Sequence, residues 1–169
     1  MSKTGLSSGW SLPSEVEGIV NRVHKIGNQL HKELAIFEEE LLRMHGDLAG
    51  YFDFLGSRQA EYHAKMNLAY WQRKLVYHKE ANIARKASDT SSWNQAESLA
   101  HGQIEAEIQE ELEMVWRYET LKSICQAIQF YRENIVERIR NLRKEQEAMR
   151  TASLMDRILQ NIRQIGRQG

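Results

Sequence analysis

The sequence predicts an all-α protein in which long heptad-patterned helices form an antiparallel helical hairpin or coiled-coil bundle that is homo-oligomeric. The chain of 169 residues contains one proline and ten glycines, which is less turn punctuation than a sheet-rich fold requires. Glu, Gln, Lys, Arg, Leu and Ala dominate, as expected of long helices. Because a few long helices bury little surface within one chain, we expect a second chain to cover most of the apolar stripe.

The N-terminal region is predicted to contain a tail and one long helix. Residues 1–11 are rich in Ser and Gly and are typical of a disordered tail. From Val16 to Leu55, apolar residues recur in two interleaved series with steps of seven, and Gly27 is a single defect. A 3.5-residue period predicts a left-handed coiled coil over residues 12–55. The oligomerisation contacts predicted on this helix are Leu30, Leu34, Phe37 and Leu41.

The middle of the chain is predicted to form two further helices. Gly56–Ser57 is expected to break or bend the first helix, and residues 58–87 form the second. The polar run Ser88–Ser92 predicts a loop that closes an αα-hairpin. Residues 93–150 follow as one long helix, in which apolar residues recur every seven positions from Met114 to Met149. Residues 12–150 are therefore predicted to be one helical coiled-coil domain.

The C-terminal residues 153–166 are predicted to form a separate amphipathic helix. Ser153 and Asp156 resemble a capping box, which would start this helix. Its apolar face can pack on its own bundle, join protomers or lie on a membrane. The membrane alternative is least favoured, because the face has few basic residues and no aromatic one. The oligomerisation contacts predicted here are Leu154, Ile158 and Ile162.

The formal net charge is zero, but its sign alternates along the chain. Residues 58–87 carry a net charge of +5, and residues 88–131 carry a net charge of −6. Residues 1–57 are also acidic, and residues 132–169 are basic. Such blocks can pair between antiparallel neighbours, or the basic ones can face a polyanion.

No sequence motif indicates catalysis. The chain has no phosphate-binding loop, dinucleotide fingerprint, zinc-protease motif or nucleophile elbow. A single cysteine, Cys125, excludes a disulfide framework and a multi-cysteine zinc site. The sequence shows neither a signal peptide nor an apolar run long enough to span a bilayer. We expect a non-enzymatic cytoplasmic protein without cofactor, metal or membrane contact.

The basic segment 58–87 is the feature that most favours a specific ligand. It combines its positive charge with Tyr62, Tyr70, Trp71 and Tyr77. Basic side chains neutralise phosphates, and aromatic rings stack on the bases of single strands. Alternatively, the aromatic residues belong to the core, and the basic residues pair with the acidic start of the next helix. In a hairpin closing at residues 88–92, Lys79 would then face roughly residue 101.

The order of these parts resembles a known family. A basic, aromatic helix is followed by a polar gap and by a long helix that begins acidic and continues as ELEMVWRYETLKSIC from Glu111 to Cys125. Over about residues 60–145 this pattern resembles the UvsY-like recombination mediators of bacteriophages, in its charge order rather than in any invariant motif. The resemblance implies an all-helical ring oligomer in the bacterial host cytoplasm that binds single-stranded DNA and loads a recombinase onto strands coated by single-strand-binding protein. The DNA-binding residues it implies are Lys65, Tyr70, Trp71, Arg73, Lys74, Lys79, Arg85 and Lys86.

Two functional hypotheses therefore remain open from the sequence. The first is a homo-oligomeric mediator of DNA recombination that binds single-stranded DNA. The second is a non-enzymatic coiled-coil adaptor or scaffold without nucleic-acid binding, which the overall neutrality favours.

Overall fold

The described residues form three long helices, and the all-α prediction is confirmed. The computed structural model describes residues 10–32, 36–87 and 99–165, with only the backbone at residues 87 and 161–165. The helices are α1 (Ser14–Lys32), α2 (Glu38–Ala87) and α3 (Glu105–Ile165). Residues 99–103 add a short helical stretch before α3. No strand occurs in these described ranges. At 1.5 Å per residue, α2 and α3 are about 75 and 90 Å long.

Helices α2 and α3 form an antiparallel hairpin along most of their length. Glu38, the first residue of α2, accepts a hydrogen bond of 2.8 Å from Arg143. Near the other end of α2, the ring of Tyr77 lies 5.1 Å from that of His101. The predicted apolar stripes meet in the core between the two helices. The fully buried side chains there include Leu41, Leu48, Leu55, Leu121, Ile128 and Ile135.

Helix α1 folds back along one side of this hairpin. Its Val16 and Val23 are completely buried in the shared core. Glu15 accepts a hydrogen bond of 2.5 Å from Arg58 of α2. Near the end of α1, the carbonyl oxygen of Leu30 accepts one of 2.7 Å from Arg138 of α3. The part of the hairpin that α1 covers is therefore a three-helix bundle, in which α1 runs parallel to α3.

The helix boundaries differ from the predicted ones in four places, one of which is Ile104, a non-helical residue within the predicted helix 93–150. At Gly56–Ser57, where the sequence predicts a break or a bend, α2 continues through both residues without a break. A glycine inside a helix costs only about 1 kcal/mol relative to alanine, so packing of the neighbouring Leu55 outweighs it. The predicted helix 12–55 is instead divided, because α1 ends at Lys32 and α2 begins at Glu38. Helix α3 also runs through Ser153 without interruption. Residues 1–9 of the predicted tail 1–11, and the predicted loop 88–92, lie outside the described residues.

Gly27, the defect in the heptad series, is explained by a contact with α3. A Cβ atom built on Gly27 would lie 2.5 Å from Cζ and Oη of Tyr131. No carbon atom fits at that distance, so the tyrosine ring occupies the space that a side chain at position 27 would need. The ring of His31, one turn along α1, makes an edge contact with the same tyrosine at 6.3 Å.

Two of the predicted oligomerisation contacts are corrected by this packing. Leu30 and Leu41 are buried within the single chain, where α1, α2 and α3 meet, so they are not available to a second chain. Phe37, by contrast, is 84% exposed, and Leu154 and Ile158 are also exposed. The side chains of the other two predicted contacts, Leu34 and Ile162, lie outside those described.

Candidate nucleic-acid interface

The predicted basic segment lies in a two-helix arm that projects beyond α1. We define this arm as residues 59–87 of α2, residues 99–104, and α3 as far as residue 115. The segment that precedes α1 ends near the base of the arm, where the ring of Trp10 lies 6.4 Å from that of Trp116, just beyond the arm. Within the arm, Arg73 forms an ion pair with Glu111. The sequence argument placed Lys79 near residue 101, and the Tyr77–His101 contact agrees with that antiparallel alignment.

The inward face of the arm is narrow and made largely of small residues. Ala69 and Ala81 of α2 are buried, and so are Ala100 and Ile104 on the other side of the hairpin. Tyr62 fills the space at the base of the arm. The small side chains let the two sides of the arm approach closely at these positions. The rings of Tyr77 and His101 meet across the hairpin, whereas Trp71 lies outside the interface.

The outer face of the arm carries an exposed apolar stripe. Trp71 is 60% exposed, and the neighbouring Leu68 and Leu75 are also exposed. The expectation that Trp71 belongs to the core is therefore wrong. The spacing of seven, four and seven residues from Leu68 through Leu75 and Lys79 to Lys86 places all four side chains on one face of α2. This face extends for about 27 Å at 1.5 Å per residue.

Tyr70, Trp71 and Lys74 form a compact aromatic and cationic cluster on the arm. The rings of Tyr70 and Trp71 meet edge to face, with centroids 5.5 Å apart. Nζ of Lys74 lies 4.7 Å from the centroid of Tyr70 and 5.4 Å from that of Trp71. Cation–π attraction at these distances holds the ammonium group beside the exposed indole. The cluster therefore presents a stacking surface and a positive charge within one helical turn.

Some of the remaining predicted DNA-binding residues form ion pairs within the chain, and others have exposed side chains. Arg73 is mostly buried and pairs with Glu111, which removes it from the outer surface. Lys65 pairs with Glu61 of its own helix at 2.7 Å. Lys79 and Lys86 are exposed and form no ion pair with a described residue. Arg85 is exposed as well. The hypothesis that the basic segment pairs with the acidic start of α3 thus applies to Arg73.

The base of the arm is a charged network rather than a binding surface. Arg58 bridges Glu15 of α1 and Glu61 of α2, at 2.5 and 2.9 Å. The hydrogen bond from Lys65 is the main cause that lowers the pKa of Glu61, and the hydrogen bond from Arg58 lowers it further. The same hydrogen bond to Glu61, followed by the charge of Glu15, raises the pKa of Arg58.

A metal site, a membrane span and a reactive thiol each require a particular arrangement of the described residues. No three His, Cys, Asp or Glu side chains come together there in a way that could hold a metal ion. No helix among the described residues combines the length and hydrophobicity needed to cross a bilayer. Cys125 is buried in the core, and burial raises the pKa of its thiol.

No protein-family model, curated protein or solved structure matches this chain.

Proposed function

We propose that this chain is a homo-oligomeric protein that binds single-stranded DNA on the outer face of its two-helix arm. The observation that carries this proposal is the exposed Trp71 beside Tyr70 and Lys74. A large indole that faces solvent needs a partner more than one packed in a core does, and nucleobases stack on such rings with about 1–3 kcal/mol per base. The charge of Lys74 would meet a phosphate next to the stacked base.

The direction of the outer face supports a strand lying along α2. Lys79 and Lys86 continue the face on which Trp71 lies, so successive phosphates would meet positive charges along about 27 Å. A single strand suits this surface better than a duplex, because its bases are free to stack. The role of loading a recombinase onto strands coated by single-strand-binding protein rests on the family resemblance, and it remains part of the proposal.

The proposal is tested by the fluorescence anisotropy of a labelled oligo-dT strand, titrated with protein at several salt concentrations. The wild-type chain should bind, and its affinity should fall steeply with salt because bound phosphates release counterions. Trp71→Ala should weaken binding by roughly 5- to 150-fold, which corresponds to the loss of about 1–3 kcal/mol of stacking. Replacing both Lys74 and Lys79 by Glu should abolish binding.

Two matched controls separate this face from a general effect of charge or hydrophobicity. Phe130→Ala removes an aromatic side chain of similar exposure from α3, outside the arm. Lys122→Glu reverses a partly exposed lysine outside the arm. Neither change should alter the affinity for oligo-dT by more than about twofold. The absence of any wild-type binding at low salt would refute the proposal.

A protein-docking function is the second candidate, and Leu68 and Leu75 favour it. Two exposed leucines that flank Trp71 at helical spacing form a surface onto which a partner's amphipathic helix can pack. In that case the chain is a coiled-coil adaptor or scaffold. Replacing both leucines by Ser, which removes the apolar surface without adding charge, distinguishes the two functions. If the face binds DNA, Trp71→Ala weakens oligo-dT binding far more than the leucine replacements do.

A further inference from the structure

A second open surface lies in the three-helix bundle, on the side of the hairpin opposite α1. Helix α1 contacts α3 at Tyr131 and Arg138, and it contacts α2 at Arg58. On the other side, the groove between α2 and α3 is open. It contains two adjoining concavities of about 440 and 600 Å³. This α2/α3 groove is lined in part by Leu42, His45, Val136, Arg140, Arg143 and Lys144.

The groove is partly apolar, and its rim carries basic side chains together with the carboxylates of Glu133, Glu137 and Glu147. Leu42 is half exposed, and Val136 is also exposed, although both border the bundle core. Arg140 and Lys144 form no ion pair with a described residue, whereas Arg143 pairs with Glu38. Long basic side chains can lie over an apolar surface while their charged ends remain in water. The groove therefore has the shape and chemistry to accept one more amphipathic helix.

The C-terminal end of α3 is an amphipathic helix that extends past the described part of α2. Glu147 is the last residue of α3 that lines a concavity together with α2, so residues 148–165 extend beyond the hairpin by about 27 Å. We call this segment the overhang. Five large apolar side chains on it are more than half exposed, namely those of Met149, Leu154, Met155, Ile158 and Leu159. The described side chains of the overhang, at residues 148–160, are all exposed.

The groove and the apolar stripe of the overhang lie on one continuous face of α3. Steps of three or four residues lead from Val136 through Arg140, Arg143, Glu147 and Thr151, and then through Leu154 to Ile158. Such steps follow one side of a helix. At about 100° per residue, this face is turned by roughly 120° from the stripe that packs on α2. A continuation of α2 would therefore not cover the apolar stripe of the overhang.

If the overhang occupies a groove of this kind, that groove must belong to another copy of the chain. Helix α3 is continuous from Glu105 to Ile165, so the overhang cannot fold back into the groove of its own chain. A second copy can supply it, because a self-complementary surface is what a two-fold dimer needs. The groove extends along α3 from Gln129 to Glu147, about 27 Å, which is close to the length of the overhang.

We propose that two copies of this chain form a reciprocal antiparallel dimer, in which the overhang of each occupies the α2/α3 groove of the other. The two-fold axis then passes between Glu147 and Thr151, which places Ile158 of one copy level with Arg140 of its partner. Asp156 lies beside the positive charges of Arg140 and Arg143 in this alignment. The proposal specifies the homo-oligomer that forms part of the proposed function, and it is independent of DNA binding.

The dimer is tested by measuring molar mass in solution for variants of both surfaces. The wild-type protein should form an oligomer with an even number of protomers. Replacing Leu154 and Ile158 by Asp should produce monomers, and so should replacing Leu42 and Val136 by Asp. Leu112→Asp alters an exposed leucine of the arm and should leave the mass unchanged. The proposal is overturned by a monomeric wild type, by an odd number of protomers, or by groove variants that keep the wild-type mass.

Cross-linking tests the same contact in folded protein. Cys125→Ser provides a background without cysteine, into which Arg140→Cys and Ile158→Cys are introduced in two chains of different length. A short bismaleimide should join the two unequal chains. It should not join two chains that both carry Ile158→Cys, because the proposed dimer holds those positions about 27 Å apart. Efficient joining of Ile158→Cys to itself would show that overhangs pair with each other, and would overturn the proposal.

These experiments keep the failure of the dimer distinct from the failure of DNA binding. Molar mass and cross-linking are measured without DNA. A dimer that does not bind oligo-dT would support the contact described here and refute the proposed function. Binding of oligo-dT by a monomer would support the proposed DNA-binding surface and refute the dimer.

Discussion

Replacing Gly27 by alanine should destabilise the protein, although alanine favours helices. Gly27 lies in the middle of α1, where the ring of Tyr131 occupies the position of a side chain. The added methyl group would overlap the ring, so either α1 or the ring must move. Gly18 provides a matched control, because it lies in the same helix and an added Cβ there finds no atom within 4 Å.

The magnitude follows from comparing these two glycines. Both replacements gain the same helix propensity, about 0.8–1 kcal/mol, so this contribution cancels in the comparison. Overpacking a filled site costs about 1–3 kcal/mol, and it applies to Gly27 alone. We therefore expect Gly27→Ala to be about 2 kcal/mol less stable than Gly18→Ala, and slightly less stable than the wild type. In a domain of this size, that difference lowers the melting temperature by roughly 4–8 °C.

The assay is urea denaturation followed by far-ultraviolet circular dichroism. All variants should be compared at one protein concentration, because association of the chains adds to the measured stability. Introducing Gly27→Ala into a Tyr131→Ala background provides the decisive control. Without the ring, the same replacement should stabilise the protein as it does at Gly18. If Gly27→Ala stabilises the wild-type chain as much as Gly18→Ala does, the explanation of the heptad defect is refuted.

Three further predictions concern the arm and the core. Arg73 and Glu111 should show a coupling energy of about 1 kcal/mol in a double-mutant cycle of unfolding, and additive single effects would contradict their pairing. Because its folded-state pKa is lowered, Glu61 contributes stability that is present above its unfolded-state pKa and is lost as the pH falls through the lowered value. An NMR titration should show this low midpoint, and Lys65→Met should raise it; an unchanged midpoint would contradict the assigned cause. Since burial raises the pKa of Cys125, its thiol should react slowly with a disulfide reagent at neutral pH and faster in urea; equal rates would contradict its burial.

Much of the fold could be predicted because helix formation and amphipathic patterning are local. The seven-residue steps identify Leu48, Leu55, Leu121 and Ile128 as stripe positions, and all four are completely buried. The position of the chain reversal could not be predicted in this way. The apolar series continues from α1 across Phe37 into α2, and the same series would describe one uninterrupted helix.

The candidate interface was only partly predictable for a related reason. Composition and charge indicate the basic segment 58–87, but they do not distinguish its inner from its outer face. The small core of the arm, with residues such as Ala69 and Ala81, excludes Trp71 and leaves it exposed. The packing of α2 on α3 also brings Arg73 next to Glu111, whereas Lys79 remains on the surface.

By itself, the sequence determined that the chain is helical, where its apolar stripes lie and which segment is basic. Only the tertiary structure decided that Leu30 and Leu41 are covered by the chain's own helices, whereas Leu154 and Ile158 are not. The physical reason is that hydrophobic burial has no direction. A heptad position indicates that a side chain avoids water, and the arrangement of the helices determines which surface covers it.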